Sequence, residues 1–163
     1  MAKNKEEKTN VMRVLEQKKI AYSAHTYPHE EGVAVDGVTV AQSMGFDPAS
    51  VFKTLVARGA SKQYYVFDVP VAENLDLKKA AKAVGEKSIE MLHQKELLPL
   101  TGYVHGGCSP VGMKKLFPTV IDASAEDLST MIVSAGKIGY QVELSPRDLA
   151  TLVRAKFADL IAK

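Results

Sequence analysis

The sequence predicts an α+β fold with a largely antiparallel or mixed sheet, and three observations carry that expectation. Two runs rich in β-branched and aromatic residues, Val51-Phe-Lys-Thr-Leu-Val-Ala57 and Gln63-Tyr-Tyr-Val-Phe-Asp-Val69, flank Gly59-Ala-Ser-Lys62 and read as a hairpin. Short amphipathic segments closed by capping residues read as helices, as in Leu77-Lys-Lys-Ala-Ala-Lys-Ala-Val84 before Gly85. The two kinds of segment alternate irregularly, unlike the even spacing of a parallel βαβ array. At 163 residues, 46% hydrophobic and 25% charged, the chain has the composition of a soluble globular protein, and residues 1–163 are expected to form one domain.

Met1 to Lys8 is polar and is read as a frayed start. From Thr9 or Asn10, either a suitable N-cap, Val11, Val14, Leu15 and Lys18 fall on one helical face. Ile20 to Tyr27 reads as a strand closed by Pro28, and residues 29–38 as a loop. Thr39 to Met44 is a helical turn ended by Gly45, and Asp47-Pro48 starts another turn. After the hairpin, Asn74 or Asp76 caps the helix that Gly85 ends; Ile89-Glu-Met91 is a short strand, and His93 to Leu98 a helical turn that stops before Pro99. Tyr103-Val-His105 is a short β-prone run. Pro118-Thr-Val-Ile-Asp122, Thr130-Met-Ile-Val133 and Gly139-Tyr-Gln-Val-Glu-Leu144 read as strands. Ser145-Pro-Arg-Asp148 places serine at the N-cap, proline at N1 and a carboxylate at N3 of a last helix. That helix buries Leu149, Leu152 and Val153, with Phe157, Leu160 and Ile161 continuing its stripe.

Several function classes are disfavoured at once. No apolar run approaches the ~18–20 residues that span a bilayer, and the Lys/Glu-rich start lacks the apolar core of a signal peptide, so no membrane partner is expected. One cysteine excludes an internal disulfide and agrees with a reducing cytoplasm. Four histidines and one cysteine show no metal-ligand spacing: His25 and His29 are four apart but separated by a strand-to-proline break. Neither a metal nor another cofactor is expected. A net charge of +2 neither demands nor forbids nucleic acid.

Gly102-Tyr-Val-His-Gly-Gly-Cys-Ser-Pro-Val-Gly-Met-Lys-Lys115 carries the strongest local signal. Glycine and proline alternate there in a way that suits one backbone shape, and exposed N–H groups in such a turn can hold an anion or a developing oxyanion. The lysines follow the last glycine at the wrong offset for a Walker motif. Lys53 is the oddest residue by pattern, because it interrupts the apolar strand face Val51, Leu55 and Ala57. Either it guards a sheet edge, or its ammonium reaches a cavity or a bound anion. Cys108 sits in the flexible loop with only His105 near in sequence to activate it. Ser134-Ala-Gly-Lys-Ile-Gly139 is a second small-residue turn, and Lys78, Lys79, Lys82, Lys114 and Lys115 are either solvated or a phosphate-binding surface.

Taken together, Thr26-Tyr27, Val51-Phe-Lys-Thr-Leu55, Leu77-Lys-Lys-Ala-Ala-Lys82, Thr101 to Gly112, Val133-Ser-Ala-Gly-Lys137 and Glu143-Leu-Ser-Pro-Arg-Asp-Leu149 resemble one family in order. The chain is similar to the YbaK-type Cys-tRNA(Pro) deacylases, relatives of the editing domain inserted in bacterial prolyl-tRNA synthetases. That resemblance implies an α+β fold with a mixed, barrel-like sheet flanked by helices. It implies trans-editing, the removal of cysteine from mischarged Cys-tRNA(Pro) or Cys-tRNA(Cys), by attack of the substrate's own thiol. It also implies a partner, mischarged tRNA, with prolyl-tRNA synthetase as a second candidate.

The family pattern carries over onto Lys53 as the catalytic position and onto Tyr27, Thr54, Gly106, Gly107, Ser109, Gly112, Ser134 and Gly136 as pocket positions. Cys108 stands where the family carries an aliphatic residue, which argues against a cysteine nucleophile. An aminoacyl ester is already activated, so positioning and oxyanion stabilisation suffice for its cleavage. Two other readings stay open: a deacylase of Ala-tRNA(Pro) that uses water, and a non-catalytic tRNA- or synthetase-binding module.

Overall fold

A computed structural model describes residues 8–163; residues 1–7, most of the expected frayed start, lie outside the described residues. Helix α1, Asn10–Gln17, opens where Thr9 accepts the Met12 N–H, and it buries Val11, Met12 and Leu15. Strand β1 is Ser23–Thr26. Helix α2, Gly37–Met44, begins earlier than the sequence suggests, because the Asp36 carboxylate caps the Thr39 N–H. A single 3-10 turn then leads into β2, Phe52–Gly59, and the hairpin partner β3, Tyr64–Pro70. Asp76 caps α3, Leu77–Val84, and β4 is Ile89–Met91.

Helix α4, Gln94–Thr101, runs through Pro99 instead of stopping before it. The missing proline N–H removes one bond, while the Glu96 carboxylate holds the His93 N–H and Gly102 closes the far end. Tyr103-Val-His105 is not a strand: the chain turns directly into the glycine loop. Strands β5, Thr119–Asp122, β6, Met131–Ser134, and β7, Tyr140–Leu144, follow as expected. Helix α5, Pro146–Val153, starts on the Ser145 cap but ends at Arg154, which takes a left-handed conformation. The residues expected to prolong it instead form β8, Lys156–Ala158, parallel to β5. The parallel β5 edge offers that segment backbone partners, and the Asp122 carboxylate takes the Leu160 N–H, so Leu160 is buried without being helical.

The strands form two sheets, β1-β7-β6 and β4-β2-β3-β5-β8, the first antiparallel and the second mixed. They are not a closed barrel. A parallel bridge between Val51 and Ile132 brings the edge of β6 against the start of β2. One core lies between the three-stranded sheet, α1 and α5, including Leu15, Met131, Val142 and Leu149. A second packs α3 on the five-stranded sheet through Ala80, Phe67, Val69 and Leu160.

The opening between the sheets follows from strand lengths. On one side β2 pairs with β3 along its full length, from Phe52 with Pro70 to Arg58 with Tyr64. On its other side β4 reaches only Ala57–Gly59, and β6 reaches only Val51. The edge between them, Lys53 to Leu55, has no strand partner among the described residues.

Candidate active site

A cavity of about 350 Å³ fills that opening. All of Val51, Phe52, Lys53, Thr54 and Leu55 line it. Alternate residues of a strand point to opposite faces, so five in succession touch one cavity only when it runs along the strand edge. Lys53 lies at an edge unpaired among the described residues, and that edge is the wall of a pocket.

The Lys53 ammonium has no carboxylate within ion-pair distance among the described residues. Burial lowers its pKa from the ordinary lysine value, partly opposed by the charges of Asp36 and Glu73. It is a half-buried cation held near acidic groups but left open to a ligand.

Thr54 presents more than its side chain. The Val56 carbonyl accepts the Leu92 N–H on the β4 side, and the register of β2 is unbroken. By alternation the Thr54 N–H and carbonyl point to that same side, where no strand reaches them. Its hydroxyl donates to Asp68 Oδ1 at 2.5 Å from the paired position on β3.

Ser134 at the end of β6 and its β7 partner Gln141 also line the cavity. Ser134 Oγ accepts the Gly136 N–H at 3.0 Å, so its own hydrogen is available to a ligand. Gln141 is buried, and its Oε1 has no hydrogen-bond partner among the described residues. Tyr27 closes one end; burial raises its phenol pKa, with a hydrogen bond to the Gly139 backbone opposing. The segment before α2 forms the rim, with Ala34, Val35, Asp36 and Gly37 in the lining.

The glycine loop contributes Gly106 and Cys108 to the cavity, next to His105. Gly106 adopts φ +89°, and a Cβ there would meet the Ala34 Cβ at 2.7 Å, so loop and rim touch at this residue. Gly107, Ser109, Gly112 and Gly136 lie outside the lining. A Cβ on Gly107 would stand 3.1 Å from the Ile138 nitrogen, and one on Gly112 or Gly136 would stand 2.9 Å from the Tyr103 side chain. Ser109 is fully buried and its Oγ accepts the Val111 N–H. These residues join the two small-residue turns to each other and to Tyr103, behind the cavity wall.

Four of the loop N–H groups expected to grip a carbonyl are engaged within the protein. Gly107 donates to Val104, Val111 to Ser109, Ala135 to Tyr140 and Gly136 to Ser134. Gly106 and Cys108, both in the lining, have N–H groups with no partner among the described residues, and the Thr54 N–H of β2 joins them at the cavity. Burial pushes the Cys108 thiol up to about 12, with the nearby Asp68 charge adding to the effect, so it is protonated and a poor nucleophile at neutral pH. Among the lysines read as either solvated or phosphate-binding, Lys79 bonds Asp159 and the Ile161 carbonyl, and Lys114 bonds the Pro99 carbonyl. No group of three metal-ligating side chains occurs among the described residues, and none of their helices is long and apolar enough to cross a membrane.

Sequence reasoning missed Asp68, Gln141, Leu97 and the α2 residues. Asp68 carried the same signal as Lys53, a charge inside an apolar strand, and was legible on that ground. Leu97, Val40 and Gln141 carry no local mark, because only the packing brings them to the opening.

Residues 32–152 match the aminoacyl-tRNA editing domain family. The chain is 45% identical, over its full length and 99% of the relative, to an Enterococcus faecalis (strain ATCC 700802 / V583) protein provisionally named Cys-tRNA(Pro)/Cys-tRNA(Cys) deacylase EbsC. A crystal structure provisionally described as a trans-editing enzyme for prolyl-tRNA synthetase aligns at TM-score 0.79 and 26% identity, covering 94% of this chain and 95% of that one. The hypothetical protein APE2540 shares the fold at TM-score 0.82 and 20% identity, covering 93% of this chain and 99% of that one.

Proposed function

The chain belongs to the aminoacyl-tRNA editing domain family, and we propose that it acts in trans to remove cysteine from mischarged Cys-tRNA(Pro), with Cys-tRNA(Cys) as a second substrate. It is an aminoacyl-tRNA deacylase, acting on the ester that links the amino acid to the terminal ribose. The whole chain is taken as one editing domain, working in the cytoplasm where tRNA is charged. Prolyl-tRNA synthetase is the partner from which it would receive the mischarged tRNA.

The observation that carries this reading is the half-buried Lys53 cation on an open strand edge, sharing a small cavity with Ser134. About 350 Å³ is at the low end of small-ligand pockets, roughly 300–1,000 Å³, and suits an aminoacyl group with part of a ribose. The rest of the tRNA stays outside.

An aminoacyl ester needs no strong protein nucleophile. Lys53 and the Thr54 N–H face the region where negative charge develops on the ester carbonyl and the leaving oxygen. Ser134 donates a hydrogen bond from the end of β6, and Tyr27 with the 34–37 rim limits the size of the amino acid. The cysteine sulfur attacks its own carbonyl, releasing a four-membered thiolactone and a tRNA with a free hydroxyl.

The test is the deacylation rate with tRNA(Pro) charged with cysteine, serine or alanine under one set of conditions. Cysteine should lead clearly, because a thiol is partly ionised near neutral pH and a hydroxyl is not. Equal rates for the three would replace thiol attack with a water mechanism.

A further inference from the structure

Asp68 is the polar group that this reading leaves unexplained. It sits mid-strand on β3 and is fully buried, between the equally buried Phe67 and Val69. Its parallel partner on β5 is the buried Ile121. A carboxylate in such a wall is costly unless its oxygens are satisfied. Only Oδ1 has a partner, the Thr54 hydroxyl at 2.5 Å; Oδ2 has none among the described residues. The arrangement is poor for stability and is of the kind that persists at functional sites.

A hydroxyl carries one hydrogen. With Asp68 ionised, that hydrogen lies toward Oδ1, and the Thr54 oxygen can only accept from the cavity. Ser134, also in the lining, has the opposite polarity, since its oxygen already accepts from Gly136. The cavity therefore offers one oriented acceptor and one oriented donor. In a cysteinyl ester, the group that must lose a proton before attack is the sulfhydryl.

We propose that Asp68 is a positioning residue for deacylation: it holds Thr54 as the acceptor for the sulfhydryl hydrogen of the bound cysteinyl ester and takes up that proton in relay. The inference rests on the cysteine-editing reading above. The S–H bond breaks as its proton passes to Thr54 Oγ1, while the Thr54 proton passes to Asp68 Oδ1. The sulfur pair forms the bond to the carbonyl carbon, and the bond from that carbon to the ribose oxygen breaks. The relay then runs backward, returning the proton to the leaving ribose oxygen and restoring the carboxylate. No other oxidant, reductant or base is needed.

The acidity of Asp68 agrees with that role. Burial pushes its pKa up to about 7, with the Thr54 hydrogen bond opposing, so it can both accept and return a proton at neutral pH. The charged or titratable groups on the elements around it are Lys53 and Arg58 on β2, Tyr64 and Tyr65 on β3 itself, Asp122 at the end of β5, and Tyr103, His105 and Cys108 in the glycine loop. Asp122 is held by the Ser124 and Leu160 N–H groups, and burial pushes Tyr103 and Cys108 each up to about 12, so neither phenol nor thiol titrates in the same range.

The experiment is the pH–rate profile for Cys-tRNA(Pro) deacylation by the full chain, from about pH 5.5 to 8.5 around the Asp68 range. Asp68→Asn keeps the size and an oxygen for Thr54 but cannot take a proton. It should lower kcat about 10²-fold with little change in KM, and it should lose the acid limb near neutrality. Thr54→Val should behave alike, and Thr54→Ser should restore both rate and limb. A folded Asp68→Asn with wild-type kcat and an unchanged profile overturns the relay while leaving the deacylase reading intact. Should Asp68→Asn fail to fold, the threonine pair decides: a Thr54→Val profile that keeps the acid limb overturns it. A wild-type chain that releases no cysteine overturns both readings.

Discussion

At the residue scale, Lys53 and Asp68 are a pair of charges in one hairpin with opposite fates. Lys53 stands at the edge of β2, where it lines the cavity; Asp68 stands inside β3, where its carboxyl has Thr54 as its one hydrogen-bond partner among the described residues. Lys53→Ala should leave the fold intact, because the edge makes no ion pair there, and should lower deacylation by about 10²-fold or more, read as kcat/KM beside an unchanged circular dichroism spectrum. Lys53→Arg should also be impaired, since a planar fork does not replace a compact ammonium in a small cavity.

Asp68 makes a separate prediction about stability. Its folded pKa, about 7, lies above the ordinary aspartate value of 3.8, so the folded state binds its proton more tightly than the unfolded chain. The stability this confers is full below about pH 4 and is lost as the pH rises through about 7. Asp68→Asn should therefore raise the Tm at pH 8, by an amount that shrinks toward pH 4. A Tm difference independent of pH would contradict the buried, neutral-prone carboxyl.

At the element scale, the glycine loop has two jobs that its sequence does not separate. Gly106 touches the rim at Ala34, whereas Gly107 packs on the backbone of residues 137–138. Gly106→Val should displace the rim and raise KM or abolish turnover, with a moderate loss of Tm from its positive φ. Gly107→Val should act mainly on stability, by about 1–3 kcal/mol, because it presses two turns apart. Thermal melts run beside steady-state kinetics distinguish the two. The sequence marked the whole stretch as special; it did not show which glycine faced a ligand and which faced another loop.

At the scale of the molecule, the site exists because two sheets meet without merging. Residues 51–55, the end of β6, β7 and the 34–37 rim come from distant parts of the chain and enclose one volume. A non-cleavable cysteinyl-adenosine analogue should slow amide exchange at all of these segments together. It should also raise stability by about 2.7 kcal/mol at a hundredfold excess over its Kd. Protection confined to one sheet would mean that the ligand does not bridge them.

The hairpin, the cap at Ser145, the choice of Thr9 or Asn10 and of Asn74 or Asp76 as caps, and the oddity of Lys53 were written in the sequence, because turns, caps and strand alternation are local effects of side chains on their own backbone. Local rules failed where a neighbour supplied the missing bonds. The segment after Arg154 became β8 because β5 offered it an edge, and α4 crossed Pro99 because both of its ends were secured. The open gap beside Lys53, the burial of Asp68 and the split roles of the glycines were decided by the tertiary structure alone. They depend on how far β4 and β6 extend along β2, and no side chain of β2 encodes the length of its neighbours.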